Sequence, residues 1–134
     1  MDDTLLFLHV LSAFMLVSAV VMLTASVLGA AIPPVTETVA NRIWDLSGAG
    51  TLGFGLWIVF REDVYDVTDG WILGALALWA TAGVLATLIR RSLASAAPDG
   101  GRAAAWPATA VRLHWVHAMV TVGFLVLMIW KPGA

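Results

Sequence analysis

Two histidines near the C-terminal end of the chain are the residues whose type and spacing best suit chemistry. His114 and His117 lie three positions apart in an apolar run from Leu113 to Trp130, so a helix brings both imidazoles to one face. Imidazole can ligate haem iron or a metal ion, and it can exchange a proton near neutral pH. The pair predicts either a site of this kind or two structural histidines bonded to neighbouring helices.

An acid and two arginines are expected at the same depth as the histidines. Asp45 lies in an otherwise apolar segment, where an ionised carboxylate costs at least about 2.5 to 3.5 kcal/mol. Arg42 lies three residues earlier on the same helical face, and Arg112 directly precedes the histidine run. We predict a structural ion pair between Asp45 and one of these arginines. In the alternative, Asp45 handles protons or anchors a ligand while the arginines hold a phosphate or a haem propionate.

The third histidine, His9, is predicted to lie near the opposite end of the protein. Its depth differs from that of His117 by about 18 Å if the last apolar core begins at Leu113, and by about 9 Å if it begins at Pro107. A metal holds imidazole nitrogens at about 2 Å. A single ion shared by His9 and His117 is therefore not expected.

The composition defines the medium in which these groups lie. Of 134 residues, 60% are hydrophobic and 12% are charged, and the mean hydropathy is +0.91, which indicates an integral membrane protein. The chain has no cysteine, which excludes disulfides, thiolate catalysis and cysteine-ligated metals. No serine–histidine–acid order, catalytic carboxylate pair or phosphate loop is recognisable, so we lean away from an enzyme. We expect the lipid bilayer, and no nucleic acid, as a partner.

Apolar segments of about 20 residues are long enough to cross a bilayer as helices. We predict an all-α, single-domain bundle of four transmembrane helices, at about 5–32, 39–60, 71–89 and 107–130. Thr36 or Thr38 could cap the second helix, and Arg90 with Arg91 ends the third. The first segment is interpreted as a span, because a cleaved signal would need a basic leader and a shorter apolar region.

Arginines are concentrated at one end of this bundle. Only Arg61 and Lys131 flank the opposite end, while the connections after the first and third helices hold the others: Arg42, Arg90, Arg91, Arg102 and Arg112. By the positive-inside rule, the arginine-rich end faces the cytoplasm and both termini face out.

A glycine-rich string lies inside the second helix. Residues 48–53 match the G-x-G-x-x-G pattern of dinucleotide sites, but that chemistry needs a preceding strand and an aqueous helix N-terminus. The better interpretation is close helix packing by small residues. Ser47, Thr51 and Gly55 form one stripe, and Ala49 with Gly53 forms a second.

Several short motifs carry a resemblance to known families. They are Leu8-His9-Val10-Leu11, Gly53-Phe54-Gly55-Leu56-Trp57, Trp71-Ile72-Leu73-Gly74 with Leu78-Trp79, and Lys131-Pro132. Together they resemble uncharacterised, often actinobacterial, integral membrane proteins with four helices. The Leu-His start is also similar to copper-resistance D-type membrane domains and to HemJ-type protoporphyrinogen oxidases. The HemJ-type likeness implies His9 as a haem ligand, but the lysine of that pattern has no counterpart between Trp71 and Ile89.

Three functions are compatible with these observations. The first is a non-catalytic membrane protein or accessory subunit of the bacterial cytoplasmic membrane whose polar cluster is mainly structural, with self-association or docking to a larger complex both open. The second is a redox protein that binds b-type haem or copper through His114 or His117. The third is a small proton-coupled transporter component that uses Asp45 and His117.

Overall fold

The computed structural model describes residues 3–31, 33–61, 65–97 and 105–131. Within these ranges the chain forms helices and no strands: α1 Asp3–Val27, α2 Pro34–Arg61, α3 Gly70–Ser95 and α4 Ala108–Trp130. All four helices are long and apolar enough to cross a membrane. The predicted all-α bundle of membrane-spanning helices is therefore confirmed.

Helix α1 ends earlier than the apolar run does. Gly29 adopts a left-handed conformation with φ of 80°, and its N–H bonds the Ser26 carbonyl while the N–H of Ala30 bonds the carbonyl of Ala25. These two bonds form a Schellman motif, in which a residue at positive φ closes the helix end. The prediction that the helix extends to Ile32 is wrong, because the hydropathy of a segment does not show where the backbone leaves the helical conformation.

Replacing Gly29 by alanine tests this helix end. We expect a loss of about 1 kcal/mol in the free energy of unfolding, because a Cβ is disfavoured at positive φ. Among the described residues, no atom lies within 4 Å of that Cβ position, so the expected cost comes from backbone strain. Thermal unfolding in detergent measures the effect. A Gly29→Asn variant should lose less, since asparagine tolerates this conformation better than alanine.

The other helix ends also differ from the sequence-based boundaries. Helix α2 begins at Pro34, and the N–H of Thr36 bonds the carbonyl of Pro33, so Thr36 lies inside the first turn instead of capping the helix. Proline suits this first position because its missing N–H would have no helical partner there. Helix α3 continues through Arg90 and Arg91 to Ser95, since these arginines end the apolar window but not the helix.

The helices pack as an antiparallel bundle. Helices α1 and α2 pack along each other, as do α3 and α4, and α1 also contacts α4. The main core cluster joins α1, α2 and α3 through six buried residues: Leu16, Ala19, Val20, Trp44, Ala82 and Ala86. We call the end that carries Arg42, Arg90, Arg91 and Arg112 the basic end. The opposite end, which carries Asp3, Asp66 and Asp69, is called the acidic end.

Small residues bring α2 close to α1. Ser47 and Thr51 are buried, and a Cβ on Gly55 would lie 2.9 Å from Cε1 of His9 on α1. The predicted packing role of this stripe is confirmed. Ala49 and Gly53 are exposed instead, and nothing lies within 4 Å of a Cβ at Gly53. The second stripe therefore lies on the outside of the bundle.

Aromatic residues secure the acidic end. Lys131 Nζ donates to the Tyr65 hydroxyl at 2.9 Å and lies 4.5 Å from the Tyr65 ring centroid and 5.5 Å from that of Trp71. Cation–π contacts of this kind contribute about 0.5 to 2 kcal/mol. They tie the end of α4 to the connection between α2 and α3.

Asp66, in the same connection, accepts hydrogen bonds from the N–H and the hydroxyl of Thr68. These bonds stabilise the carboxylate and lower the pKa of Asp66 below its ordinary value.

Candidate functional site

A small cavity at the basic end is lined by the two buried histidines of α4. It has a volume of about 10 Å³, close to the space that one water molecule needs. All four helices and the segment before α4 line it, through Leu23, Asn41, Trp44, Ala86, Ile89, Leu93, Trp106, His114 and His117. We call it the histidine cavity.

Helix α4 positions both histidines because its buried residues recur at helical spacing. Ala110, His114, His117, Thr121 and Phe124 form its inward face. His114 is 0% exposed and His117 is 1% exposed. The predicted placement of the two imidazoles on one face is confirmed.

His114 is held in a defined orientation by α1. Its Nε2 lies 2.9 Å from the Thr24 hydroxyl, and that hydroxyl donates its own proton to the Val20 carbonyl. Since the hydroxyl proton is already used, Nε2–H must be the donor in the bond to Thr24. In neutral His114 the unprotonated nitrogen is therefore Nδ1, which is buried and has no hydrogen-bond partner in residues 3–31, 33–61, 65–97 and 105–131.

His117 is anchored by packing instead of by hydrogen bonds to its ring. Its ring centroid lies 5.1 Å from that of Trp44 and 6.3 Å from that of His114. Within the described part of the chain, neither Nδ1 nor Nε2 of His117 has a hydrogen-bond partner. The same holds for the indole Nε1 of Trp44. The cavity thus combines unmatched nitrogen lone pairs with unmatched N–H donors.

A second polar group covers His114 from the side of the connection before α4. Trp106 packs edge-on against His114, with ring centroids 5.7 Å apart. Its indole N–H lies 3.3 Å from the Ser26 hydroxyl and 3.2 Å from Oε1 of Glu37, and Ser26 also donates to Glu37. This network fixes Trp106 over the cavity. Neither residue type nor spacing in the sequence singles out Trp106, Glu37, Ser26 or Trp44 as part of this site.

Asp45 does pair with an arginine, but the partner differs from the predicted ones. Its two carboxylate oxygens accept from Arg90 Nη1 and Nη2 of α3 at 3.2 and 2.5 Å. The side chain of Asp45 is 47% exposed and that of Arg90 is 39% exposed. The prediction that Arg42 or Arg112 is the partner is wrong. Helix α3 continues to Ser95, so Arg90 is still helical and reaches Asp45 on α2.

Arg42 and Arg112 are exposed and do not line the histidine cavity. Asp45 does not line it either, so the structure does not bring the predicted Asp45 and His117 together there.

His9 lies nearer to the acidic end than His117 does, as its depth predicts. Its Nδ1 donates to the Thr51 carbonyl of α2 at 3.0 Å, whereas His117 contacts α2 at Trp44. Seven helical residues separate these two points on α2, a rise of about 10 Å. Among the residues that the structure describes, no group of three or more His, Asp or Glu side chains could hold a metal ion.

Haem does not fit the histidine cavity as it stands. The cavity has room for about one water molecule, and the rings of Trp44 and Trp106 lie against those of His117 and His114. Haem binding would require the helices to separate.

Comparisons with known proteins give no similar protein for this chain. No family model, no curated protein and no solved structure matches this chain.

Proposed function

We propose that this protein is a non-catalytic multi-pass membrane protein that binds a small ligand in the histidine cavity. One observation carries the proposal. Three imidazole nitrogens, Nδ1 of His114 and both nitrogens of His117, are buried in one cavity without a partner among the residues that the structure describes. Nearly all buried polar groups in proteins are hydrogen-bonded, so a group without a partner needs an explanation.

The energetics favour a binding role over a purely structural one. A buried polar group left unsatisfied costs about 1 to 3 kcal/mol. A purely structural cluster would be more stable if its own side chains satisfied these nitrogens. A ligand that bonds to the imidazole nitrogens removes this free-energy penalty when it binds. The unsatisfied nitrogens are therefore better explained by a ligand than by a structural role.

The lining of the cavity supports binding without catalysis. No serine or carboxylate is among its lining residues. The neighbouring carboxylate, Glu37, already accepts hydrogen bonds from Ser26 and Trp106. A nucleophile next to a base, or a pair of free acids, would be the usual sign of hydrolytic chemistry.

We place the protein in the bacterial cytoplasmic membrane, with the basic end and its cavity towards the cytoplasm. The arginines at that end support this orientation by the positive-inside rule. The exposed Ala49 and Gly53 on α2 support the accessory-subunit hypothesis, because small residues let a helix of a second copy or of a larger complex approach closely.

The proposal is tested by identifying what the protein retains during purification. Full-length protein is extracted from membranes, and native mass spectrometry, metal analysis and a visible spectrum are recorded for wild type, His114→Asn, His117→Asn and His9→Asn. We expect an added mass in wild type and His9→Asn that both cavity variants lose. Identical spectra and masses in all four proteins would instead favour a structural cluster.

A further inference from the structure

We infer that the ligand of the histidine cavity is a monovalent d10 metal ion, with Cu⁺ as the biological example, held between the imidazoles of His114 and His117. This inference rests on the proposed function and names the class of its ligand. It concerns binding only and involves no change of oxidation state.

The hydrogen bonding of His114 prepares one metal ligand. Because Nε2–H donates to Thr24, the lone pair of neutral His114 is on Nδ1, which is buried and unpartnered. Metal-ligating histidines generally donate their other ring N–H to a fixed oxygen, which sets the tautomer and orients the ring. Thr24 supplies that oxygen here. Imidazole is a good ligand for copper among the transition metals.

The separation of the two rings matches a two-coordinate ion. With metal–nitrogen bonds of about 2 Å, a linear arrangement places two imidazole centroids about 6.2 Å apart, and a tetrahedral angle places them about 5 Å apart. The centroids of His114 and His117 are 6.3 Å apart. Linear coordination by two nitrogen ligands is common for Cu⁺ and Ag⁺, whereas Zn²⁺ in proteins almost always takes four ligands.

The charge of the site also favours a monovalent ion. Two neutral imidazoles bring no negative charge, and the desolvation cost of an ion rises with the square of its charge. A divalent ion would therefore be about four times as costly to bury here. The Trp44 ring lies against His117, with ring centroids 5.1 Å apart and ring planes tilted by 52°. A cavity of about 10 Å³ suits a single ion and excludes most organic molecules.

Silver is the practical probe because Ag⁺ is stable in air, and Cu⁺ is added under anaerobic reducing conditions. The full-length protein in detergent is loaded with Ag⁺, Cu⁺ or Zn²⁺, and bound metal is measured after gel filtration and by chelator competition. We expect one Ag⁺ or Cu⁺ per chain in wild type and His9→Asn. Affinity should fall at least tenfold in His114→Asn and His117→Asn, and Zn²⁺ should bind at least tenfold more weakly than Cu⁺ in wild type.

X-ray absorption on wild-type protein loaded with Cu⁺ provides a measurement that does not depend on whether the variants fold. Two nitrogen neighbours with imidazole scattering are expected, and sulfur neighbours would overturn the inference. Equal, histidine-dependent binding of Zn²⁺ would overturn the monovalent assignment. If an organic molecule is retained in place of any metal, the inference fails and the proposed function stands. If nothing binds in a histidine-dependent way, both fail.

Discussion

Replacing Gly50 by valine is expected to lower the free energy of unfolding by about 2 to 3 kcal/mol, in the range of overpacking substitutions. A Cβ at this position would lie 2.6 Å from Oγ and 3.2 Å from Cβ of Ser12 on α1. The serine hydroxyl can rotate away, but its Cβ is fixed to the α1 backbone. The two helices must therefore separate, which disturbs the buried cluster that includes Leu16 of α1 and Trp44 of α2.

Gly53 provides a matched control for this substitution. It lies on the same helix, and nothing is within 4 Å of its Cβ position. Both glycine-to-valine changes gain similarly in helix propensity, so their difference reports the contact with Ser12. Unfolding by heat or by denaturing detergent, followed by circular dichroism, measures both variants. Equal stabilities for Gly50→Val and Gly53→Val would contradict the close packing of α1 on α2.

The sequence predicts the architecture well because helix length and apolarity are local properties. The uncharged run after Leu113 has to be helical in a bilayer, where every backbone polar group must be satisfied within the segment. The rise of 1.5 Å per residue then separates His9 from His117, as the structure shows through their different contacts on α2. Helix ends are less predictable, because Gly29 stops α1 through backbone conformation and not through polarity.

The side chains that meet in the site depend on how each helix is rotated about its own axis relative to its neighbours. The sequence pattern does not show this rotation. A pair of arginines resembles a helix end in the sequence, which hides Arg90 as the partner of Asp45, although α3 continues to Ser95. The apolar pattern alone leaves Glu37 in the connection before the second helix. Proline at the first position of a helix was the available signal, since starting α2 at Pro34 places Glu37 in the first turn, where an acid is favourable.

Replacing His117 by leucine is expected to stabilise the ligand-free protein by about 1 to 3 kcal/mol, the usual cost of an unsatisfied buried polar group. Both ring nitrogens of His117 lack partners among the described residues, and the Trp44 ring and the apolar Ala86 line the same cavity. Leucine has a similar volume and removes the polar atoms. The same change should abolish binding in the histidine cavity, which is the usual trade of stability against function.

His9→Leu is the control in which the opposite sign is expected. His9 donates to the Thr51 carbonyl, so leucine removes a bond that is made and destabilises the protein by about 1 kcal/mol. Unfolding is measured after exhaustive treatment with chelator, because a retained ligand would stabilise wild type and hide the gain. A structural His117 would make both variants less stable. If His117 binds a ligand, the two leucine variants change the free energy of unfolding in opposite directions. His117 destabilises the ligand-free protein because its hydrogen-bond partner comes from outside the chain, whereas the partner of His9 is part of the protein.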